Sequence, residues 1–190
     1  AEDFNRIQIE SLLKKIPELN PVFEIDYFPE INWNARWEAD YEPVFIDDKL
    51  VIRAPFHNSF EHFPFCITLE PEMAFGTGHH ETTTLMLLAI LKENMNNASV
   101  LDFGSGTGVL AILAAKKGAT SIYAIDNDDN SINSIRKNIA NNEVEVATKL
   151  ASKPEVIHNM LFDYLFANMT KTVLLDNMQS FSHLTKSGSK

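Results

Sequence analysis

The chain has 190 residues, of which 45% are hydrophobic and 22% are charged, and its formal net charge is −10. This length is enough for one well-buried domain and a small appendage. The acidic balance excludes nucleic-acid binding through a broad basic surface, so we expect no direct nucleic-acid partner and favour a basic one. The simpler interpretation is that the charge keeps the protein soluble.

The cysteine content and the apolar runs bear on the compartment. Cys66 is the only cysteine, so an intrachain disulfide is impossible, which fits a reducing environment. Its apolar neighbours Phe65 and Ile67 favour packing over reactivity of the thiol. No apolar run approaches the length of a membrane span, and the first three residues do not open a signal peptide. We therefore expect a cytoplasmic protein with no membrane contact.

The first third of the chain predicts an incomplete α+β unit and a connecting region. Apolar residues recur at helical spacing over residues 5–16 and alternate over residues 21–28, which predicts a helix and then a strand. Residues 1–30 therefore resemble part of a small α+β domain. Residues 31–66, with a strand-like stretch at 49–54, form a predicted linker and strand region.

From residue 67 onward, helix and strand patterns alternate. The predicted helices cover residues 82–95, 109–117, 126–141 and 171–184, and the predicted strands cover residues 100–101, 120–125, 143–148 and 163–167. This order is typical of a parallel sheet with helices on both faces. We therefore predict an α/β domain over residues 67–190.

The most informative stretch is the turn after the first of these strands. Residues 100–108 read Val-Leu-Asp-Phe-Gly-Ser-Gly-Thr-Gly, and the next predicted strand leads to Asp126. Gly104, Gly106 and Gly108 lack a Cβ, so the backbone can bend tightly and approach a ligand closely. The following helix presents free N–H groups and the positive end of its dipole. The pattern predicts a site for a nucleoside-bearing ligand whose ribose hydroxyls donate to Asp126.

The residue order of this turn discriminates between such ligands. A dinucleotide fingerprint needs Gly-x-Gly-x-x-Gly, and its third glycine would fall at Val109; a Walker loop needs Gly-Lys-Ser/Thr, which is absent. The Asp102 carboxylate, two residues before the first glycine, would repel a pyrophosphate and attract a cation such as an ammonium group. The turn therefore favours S-adenosylmethionine over NAD; the alternative is a βαβ turn without a ligand.

Three stretches of the chain point to one family. Residues 71–83 read Pro-Glu-Met-Ala-Phe-Gly-Thr-Gly-His-His-Glu-Thr-Thr, residues 102–110 contain the glycine turn, and residues 166–169 read Phe-Ala-Asn-Met. Together they resemble the ribosomal protein L11 methyltransferase family (PrmA type), and the resemblance covers about residues 31–190. The first stretch is much more specific than the turn, which many class I methyltransferases share.

The resemblance implies a fold, a methyl donor and an acceptor. The fold is a Rossmann-like class I methyltransferase domain preceded by a ferredoxin-like domain that docks the substrate. The donor is S-adenosylmethionine, and the acceptors are amino groups, either lysine side chains or an N-terminal amine, of a large-subunit ribosomal protein. The residues implied at the donor site are Thr83, Gly104, Asp126 and Asn168, with Phe75, Gly76 and Gly78 lining the pocket and Asp102 and Gly106 in the turn.

Some of these residues have simpler interpretations. Thr83 could be only a helix N-cap, and Asn168 could be only a turn residue. His80 matches a family histidine and is the weak candidate for a general base, but a hydrogen bond that orders its loop is the favoured interpretation. No third ligand lies near His79 and His80 in the sequence, so we expect no metal site. We also expect a monomer.

The residues after Asn168 bear on the acceptor. Families that methylate amides or bases carry Asn/Asp-Pro-Pro-aromatic here, whereas this chain reads Asn-Met-Thr-Lys at 168–171. The sequence therefore argues against a glutamine or aminoadenine acceptor. Two alternatives stay open: a module that binds the donor without transferring methyl, and a related enzyme acting on another protein or on a small amine.

The resemblance also predicts missing segments. The family has a complete ferredoxin-like domain, of which residues 1–30 supply half, and a seven-stranded sheet, of which the fifth strand would begin near residue 190. We therefore expect that these residues belong to a longer protein and that the sheet is incomplete on its C-terminal side.

Overall fold

The computed structural model describes residues 41–71, 80–157 and 159–190, together with Ser11, Lys15 and Glu38. The chain divides into two units, Ala1–Trp37 and Glu38–Lys190, and the elements below all lie in the second. Apart from Ser11 and Lys15, the helix predicted at residues 5–16, the strand predicted at 21–28 and the ferredoxin-like domain to which they would belong lie outside the described residues. The division into segments 1–30, 31–66 and 67–190 stays a prediction.

The smaller sheet comes first in the chain. It contains β1 (Val44–Ile46), β2 (Leu50–Arg53) and β3 (Phe65–Thr68) in the order β1-β2-β3. β1 and β2 are antiparallel, whereas β2 and β3 are parallel. Only β2, which lies within the strand-like stretch at 49–54, was predicted from the sequence; β1 and β3, with three and four residues, were not. Cys66 is a partly buried free thiol in β3.

The larger sheet of the described residues is entirely parallel. Its strands are β4 (Ser99–Phe103), β5 (Ser121–Asp126), β6 (Ala147–Leu150) and β7 (Tyr164–Phe166), in the order β6-β5-β4-β7. The helices are α1 (Glu81–Lys92), α2 (Val109–Lys116), α3 (Asp129–Asn142) and α4 (Lys171–Leu184), with a short 3-10 helix at Pro154–Val156. The predicted Rossmann-like α/β architecture is confirmed. No helix of the described residues is long and apolar enough to cross a bilayer.

The strand order places a switch point at β4. Asp102 in β4 lies opposite Ala124 of β5 on one side and Phe166 of β7 on the other, and all three strands run in the same direction. In open α/β sheets, ligands bind outside the carboxyl ends of the strands at such a point. The carboxyl ends of β4, β5 and β7 therefore mark the candidate site.

Helix α2 sets the position of the turn that precedes it. Its first six residues, 109–114, are all buried, and it packs against β3 of the smaller sheet and against β4 and β5 of the larger one. A helix that is apolar all round can only be stable in such an enclosed position. The buried helix therefore fixes where its N-terminus lies relative to both sheets.

The strand predicted over residues 143–148 is wrong in its position. β6 begins only at Ala147, because the residues before it end α3. Glu143 is the C-cap in a left-handed conformation with φ of 54°, and Val144 donates its N–H to the last turn of the helix. The alternating Val144 and Val146, which suggested a strand, pack against the core from a loop.

Candidate functional site

The glycine-rich turn between β4 and α2 has a left-handed backbone. The φ angles are 75° at Gly104, 53° at Gly106 and 78° at Gly108, a region that glycine adopts without a steric penalty. The N–H groups of Gly104 and Ser105 both donate to the Ile125 carbonyl, at 2.8 and 3.1 Å. The turn is thereby fastened to the carboxyl end of β5.

Two of these glycines also face tight packing. A Cβ on Gly104 would lie 2.3 Å from Met169 Cε, in the segment that follows β7. A Cβ on Gly108 would lie 2.2 Å from Ile135 Cγ1, on α3. The turn is therefore in close contact with the segment after β7 and with α3, and neither position leaves room for a side chain.

Asp126 ends β5 beside this turn. Its Oδ2 accepts the Gly106 N–H at 2.8 Å and its Oδ1 accepts the Asp128 N–H at 3.1 Å, so both oxygens are oriented by backbone donors. The side chain is largely buried, with 9% of the residue exposed. A carboxylate oxygen has two acceptor positions, so each oxygen retains one for a further donor. This geometry suits a pair of neighbouring hydroxyl groups.

Asp102 lies inside the domain rather than on the site surface. It is 1% exposed, and its Oδ2 accepts the Ala111 N–H in the first turn of α2 at 3.2 Å. Burial raises the pKa of Asp102 to about 7, the neighbouring charge of Asp126 adds to the increase, and the hydrogen bond from Ala111 opposes it. The sequence placed this carboxylate toward a ligand cation, whereas the structure shows it capping the N-terminus of α2.

The raised pKa of Asp102 predicts a pH-dependent stability. Because the folded-state pKa of about 7 lies above the ordinary 3.8, the folded protein binds the extra proton between these values, and stability falls as pH rises through them. Between pH 5 and 8 the loss is about 3 kcal/mol. The free energy of unfolding of Asp102→Asn, relative to that of the wild type, should therefore increase by about 3 kcal/mol from pH 5 to pH 8. Urea unfolding of both proteins at the two pH values measures this change.

Asp163 supplies a control for this measurement. The hydrogen bond from Lys186 is the main cause that lowers the pKa of Asp163 to about 2, so this carboxylate does not titrate between pH 5 and 8. Asp163→Asn should therefore change stability equally at both pH values. If Asp102→Asn changed the free energy of unfolding equally at both pH values, the raised pKa of Asp102 would be contradicted.

Thr83 and Asn168 meet directly. Asn168 follows β7, and its Nδ2 donates to Thr83 Oγ1 at 3.3 Å. Thr83 lies within the first turn of α1 and is 1% exposed. The interpretation of Thr83 as an N-cap is wrong, because His80 occupies that position. The pair joins the N-terminus of α1 to the carboxyl end of β7.

His80 caps α1 through its ring. The Nδ1 atom accepts the Thr82 N–H at 3.2 Å and lies 2.7 Å from Thr82 Oγ1. This residue is exposed. The contacts show a local ordering role at the helix start, while the role of general base stays a prediction.

The predicted site residues fall into three groups. The structure brings Thr83, Gly104, Gly106, Asp126 and Asn168 to the carboxyl edge of the larger sheet, and it places Asp102 beneath them in the core. Phe75, Gly76 and Gly78 lie outside the described residues. Among the residues that are described, no group of three or more His, Cys, Asp or Glu side chains is placed to hold a metal ion.

Sequence reasoning missed the buried asparagines of α3. Asn138 and Asn142 are 0% and 7% exposed and lie on the same helix face as Ile135. Their spacing of three and seven residues from Ile135 could have shown this, because polar residues at apolar-face positions need buried partners.

A sequence model of ribosomal protein L11 methyltransferase (PrmA) matches residues 2–190. The chain belongs to this family. A ribosomal protein L11 methyltransferase of Porphyromonas gingivalis is 40% identical over 168 residues, which are 87% of this chain and 58% of that protein. The one from Phocaeicola vulgatus is 34% identical over 92% of this chain and 63% of that protein. The chain thus spans about three-fifths of the length of these curated relatives.

Solved structures agree with the fold. The ribosomal protein L11 methylase of Lactobacillus delbrueckii subsp. bulgaricus is 29% identical, with a TM-score of 0.69 over 78% of this chain and 77% of that one. A 16S rRNA methyltransferase of T. thermophilus, solved with AdoMet and guanosine, has a TM-score of 0.50 at 21% identity, over 60% of this chain and 34% of that one. The second likeness concerns the fold alone.

Proposed function

We propose that this chain carries the donor-binding part of an S-adenosylmethionine-dependent protein methyltransferase that methylates amino groups of ribosomal protein L11. The observation that carries the proposal is the Asp126 carboxylate, held by Gly106 and Asp128 at the switch point with an acceptor position free on each oxygen. Membership of the family supports the reaction and the acceptor.

The residues present fit the donor. Gly104 and Gly106 carry no side chain and have a left-handed backbone, so the turn can lie close to a ligand. The Asp126 oxygens suit the two ribose hydroxyls, and the lack of a third dinucleotide glycine at position 109 argues against NAD. Thr83 and Asn168 lie at the carboxyl edge of the larger sheet, on the other side of β4, and would contact the remainder of S-adenosylmethionine.

The chemistry of transfer depends mainly on positioning. When bound, S-adenosylmethionine supplies a methyl group on a positively charged sulfur, which a neutral amine can attack. A lysine amine has an ordinary pKa of about 10.4, and partial desolvation beside a positive charge lowers this pKa. No side-chain base is then required, and the protein contributes by orienting donor and acceptor in line. The lack of an Asn/Asp-Pro-Pro-aromatic stretch at residues 168–171 favours an amine over an amide or a base.

The remaining features concern partner and location. A net charge of −10 suits the docking of a basic ribosomal protein. We propose that residues 1–30 belong to the docking domain and that residues 67–190 hold the donor. We further propose that the protein is a cytoplasmic monomer that binds no metal and makes no direct contact with nucleic acid.

A labelled-donor assay tests the function. Purified protein is incubated with methyl-labelled S-adenosylmethionine and ribosomal protein L11, and the modified residues are mapped by mass spectrometry. We expect label on amino groups of L11, and much less label with Asp126→Ala at a donor concentration near the Kd of the wild type. Donor binding by calorimetry without any label transfer to L11 would contradict the proposed reaction.

A further inference from the structure

Two buried side-chain amides of α3 form hydrogen bonds to backbone outside the helix. Asn142 pairs with Thr68 at the end of β3: its Oδ1 accepts the Thr68 N–H at 2.9 Å, and its Nδ2 donates to the Thr68 carbonyl at 2.6 Å. The same Nδ2 lies 2.7 Å from the Asn138 carbonyl, one turn earlier. Asn142 therefore occupies the place that the backbone of a neighbouring strand would take.

Asn138 joins two separate segments. Its Oδ1 accepts the Glu70 N–H at 2.8 Å, beyond the end of β3, and its Nδ2 donates to the Thr107 carbonyl at 2.9 Å, inside the glycine-rich turn. Both Asn138 and Thr107 are 0% exposed. The amide therefore connects the segment that leads into residues 72–79 with the turn.

We infer that Asn138 is a positioning residue for the methyl donor, acting through the Thr107 carbonyl on the backbone of the turn. The inference rests on the proposed function, because it takes the turn to be the donor site. Gly106, whose N–H orients Asp126, and Gly108 flank Thr107 directly. Asn138 thus holds the turn through the Thr107 carbonyl, whereas Asp126 holds it through the Gly106 N–H on the side proposed for the ligand.

The physical reason is the loss of a hydrogen bond at a buried carbonyl. Thr107 is fully buried, so water cannot replace the Nδ2 donor in the present geometry, and a buried polar group that loses a hydrogen bond is destabilised. The turn can reduce this cost by moving the Thr107 carbonyl toward solvent. That movement changes the φ and ψ angles of the adjacent glycines, which offer the least resistance, and displaces the Gly106 N–H from Asp126.

The test compares two variants of the same helix. Asn138→Ala removes the bond to the turn, whereas Asn142→Ala removes the pairing with Thr68 and serves as the matched control. We expect Asn138→Ala to weaken S-adenosylmethionine binding on the order of tenfold, by analogy with the lower end of the effect that the loss of a hydrogen bond to a metal-ligating residue has on metal affinity. Asn142→Ala should stay within about twofold of the wild type in binding, although we expect urea unfolding to show that it is destabilised.

Amide hydrogen exchange supplies a second readout, which general destabilisation does not produce. The amides of Gly106 and Gly108 should exchange faster in Asn138→Ala than in Asn142→Ala, measured under conditions where both variants are folded. Equal protection in the two variants, together with equal donor affinity, would overturn the inference.

Asn138→Asp keeps the proposal testable where the alanine variant does not fold. The variant retains an oxygen that can accept the Glu70 N–H. When ionised it cannot donate a hydrogen bond to the Thr107 carbonyl, whereas as a protonated acid it can. The affinity of Asn138→Asp for S-adenosylmethionine, relative to that of the wild type, should therefore recover as pH falls. The affinities of the variant and the wild type are compared at each pH because other carboxylates lie in this region. They belong to Asp102 and Asp126, near the turn, and to Glu70, which contacts Asn141.

The outcomes separate the two proposals. If the wild type does not bind S-adenosylmethionine, the proposed function fails and the inference falls with it. If the wild type binds the donor while Asn138→Ala and Asn138→Asp bind it as tightly at every pH, only the role of Asn138 is overturned.

Discussion

Replacing Asp126 with alanine is expected to weaken S-adenosylmethionine binding by at least about a hundredfold. The variant removes the acceptor of two charge-assisted hydrogen bonds, each worth roughly 1.5–3 kcal/mol, and a tenfold change in affinity corresponds to about 1.4 kcal/mol. It also releases the Gly106 and Asp128 N–H groups that the carboxylate holds. Calorimetric titration of wild type and variant with the donor measures the effect.

Asp129→Asn is the matched control for the charge. Asp129 is exposed in the first turn of α3, three residues from Asp126, so this variant removes one carboxylate near the site without removing the acceptor. Its donor affinity should remain within about twofold of the wild type, because exposed charges interact weakly through water. Equal losses in Asp126→Ala and Asp129→Asn would mean that general electrostatics, and not ribose binding, explain the role of Asp126.

Gly108→Ala is expected to lower the free energy of unfolding by about 3 kcal/mol. The left-handed backbone, with φ of 78°, costs a residue with a Cβ roughly 1–2 kcal/mol. The new Cβ would also meet Ile135 Cγ1 at 2.2 Å, and Ile135 is fully buried, so overpacking adds about 1–3 kcal/mol. Urea denaturation of the variant and the wild type gives the difference.

Gly188→Ala isolates the backbone part of this cost. Gly188 has φ of 85°, and among the described residues nothing lies within 4 Å of a Cβ built there, so only about 1–2 kcal/mol of conformational strain is expected. In an Ile135→Ala background, the cost of Gly108→Ala should fall toward that of Gly188→Ala, since the two nearest atoms, Ile135 Cγ1 and Cδ1, are gone. A Gly108→Ala cost no larger than that of Gly188→Ala would refute the steric account.

The sequence predicted the parts of the fold that local patterns determine. The strand before the turn, the helix after it and the strand that leads to Asp126 all lie where the spacing of glycines and apolar residues placed them. The N-cap of α3 is equally local, since the carboxylate of Asp128 accepts the Ser131 N–H at 3.2 Å. These features depend on a few consecutive residues, and so they are visible in the sequence.

Features that depend on distant partners could not be predicted in this way. β3 is held in place by its parallel pairing with β2 and by hydrogen bonds from side-chain amides of α3, which lie about seventy positions further along the chain. The burial of Asp102 follows from the position of α2 between the two sheets, so the sequence indicated a carboxylate without showing that it faces a helix end. The contact between Thr83 and Asn168 likewise requires the sheet order.

The most direct test of the account is a crystal structure of the protein with S-adenosylhomocysteine. We expect the ribose hydroxyls to donate to the two oxygens of Asp126 and the ligand to lie against the backbone of the turn at Gly104, with Asn168 at the opposite border. A ligand bound away from the carboxyl ends of β4 and β5, or a ribose without contact to Asp126, would contradict it.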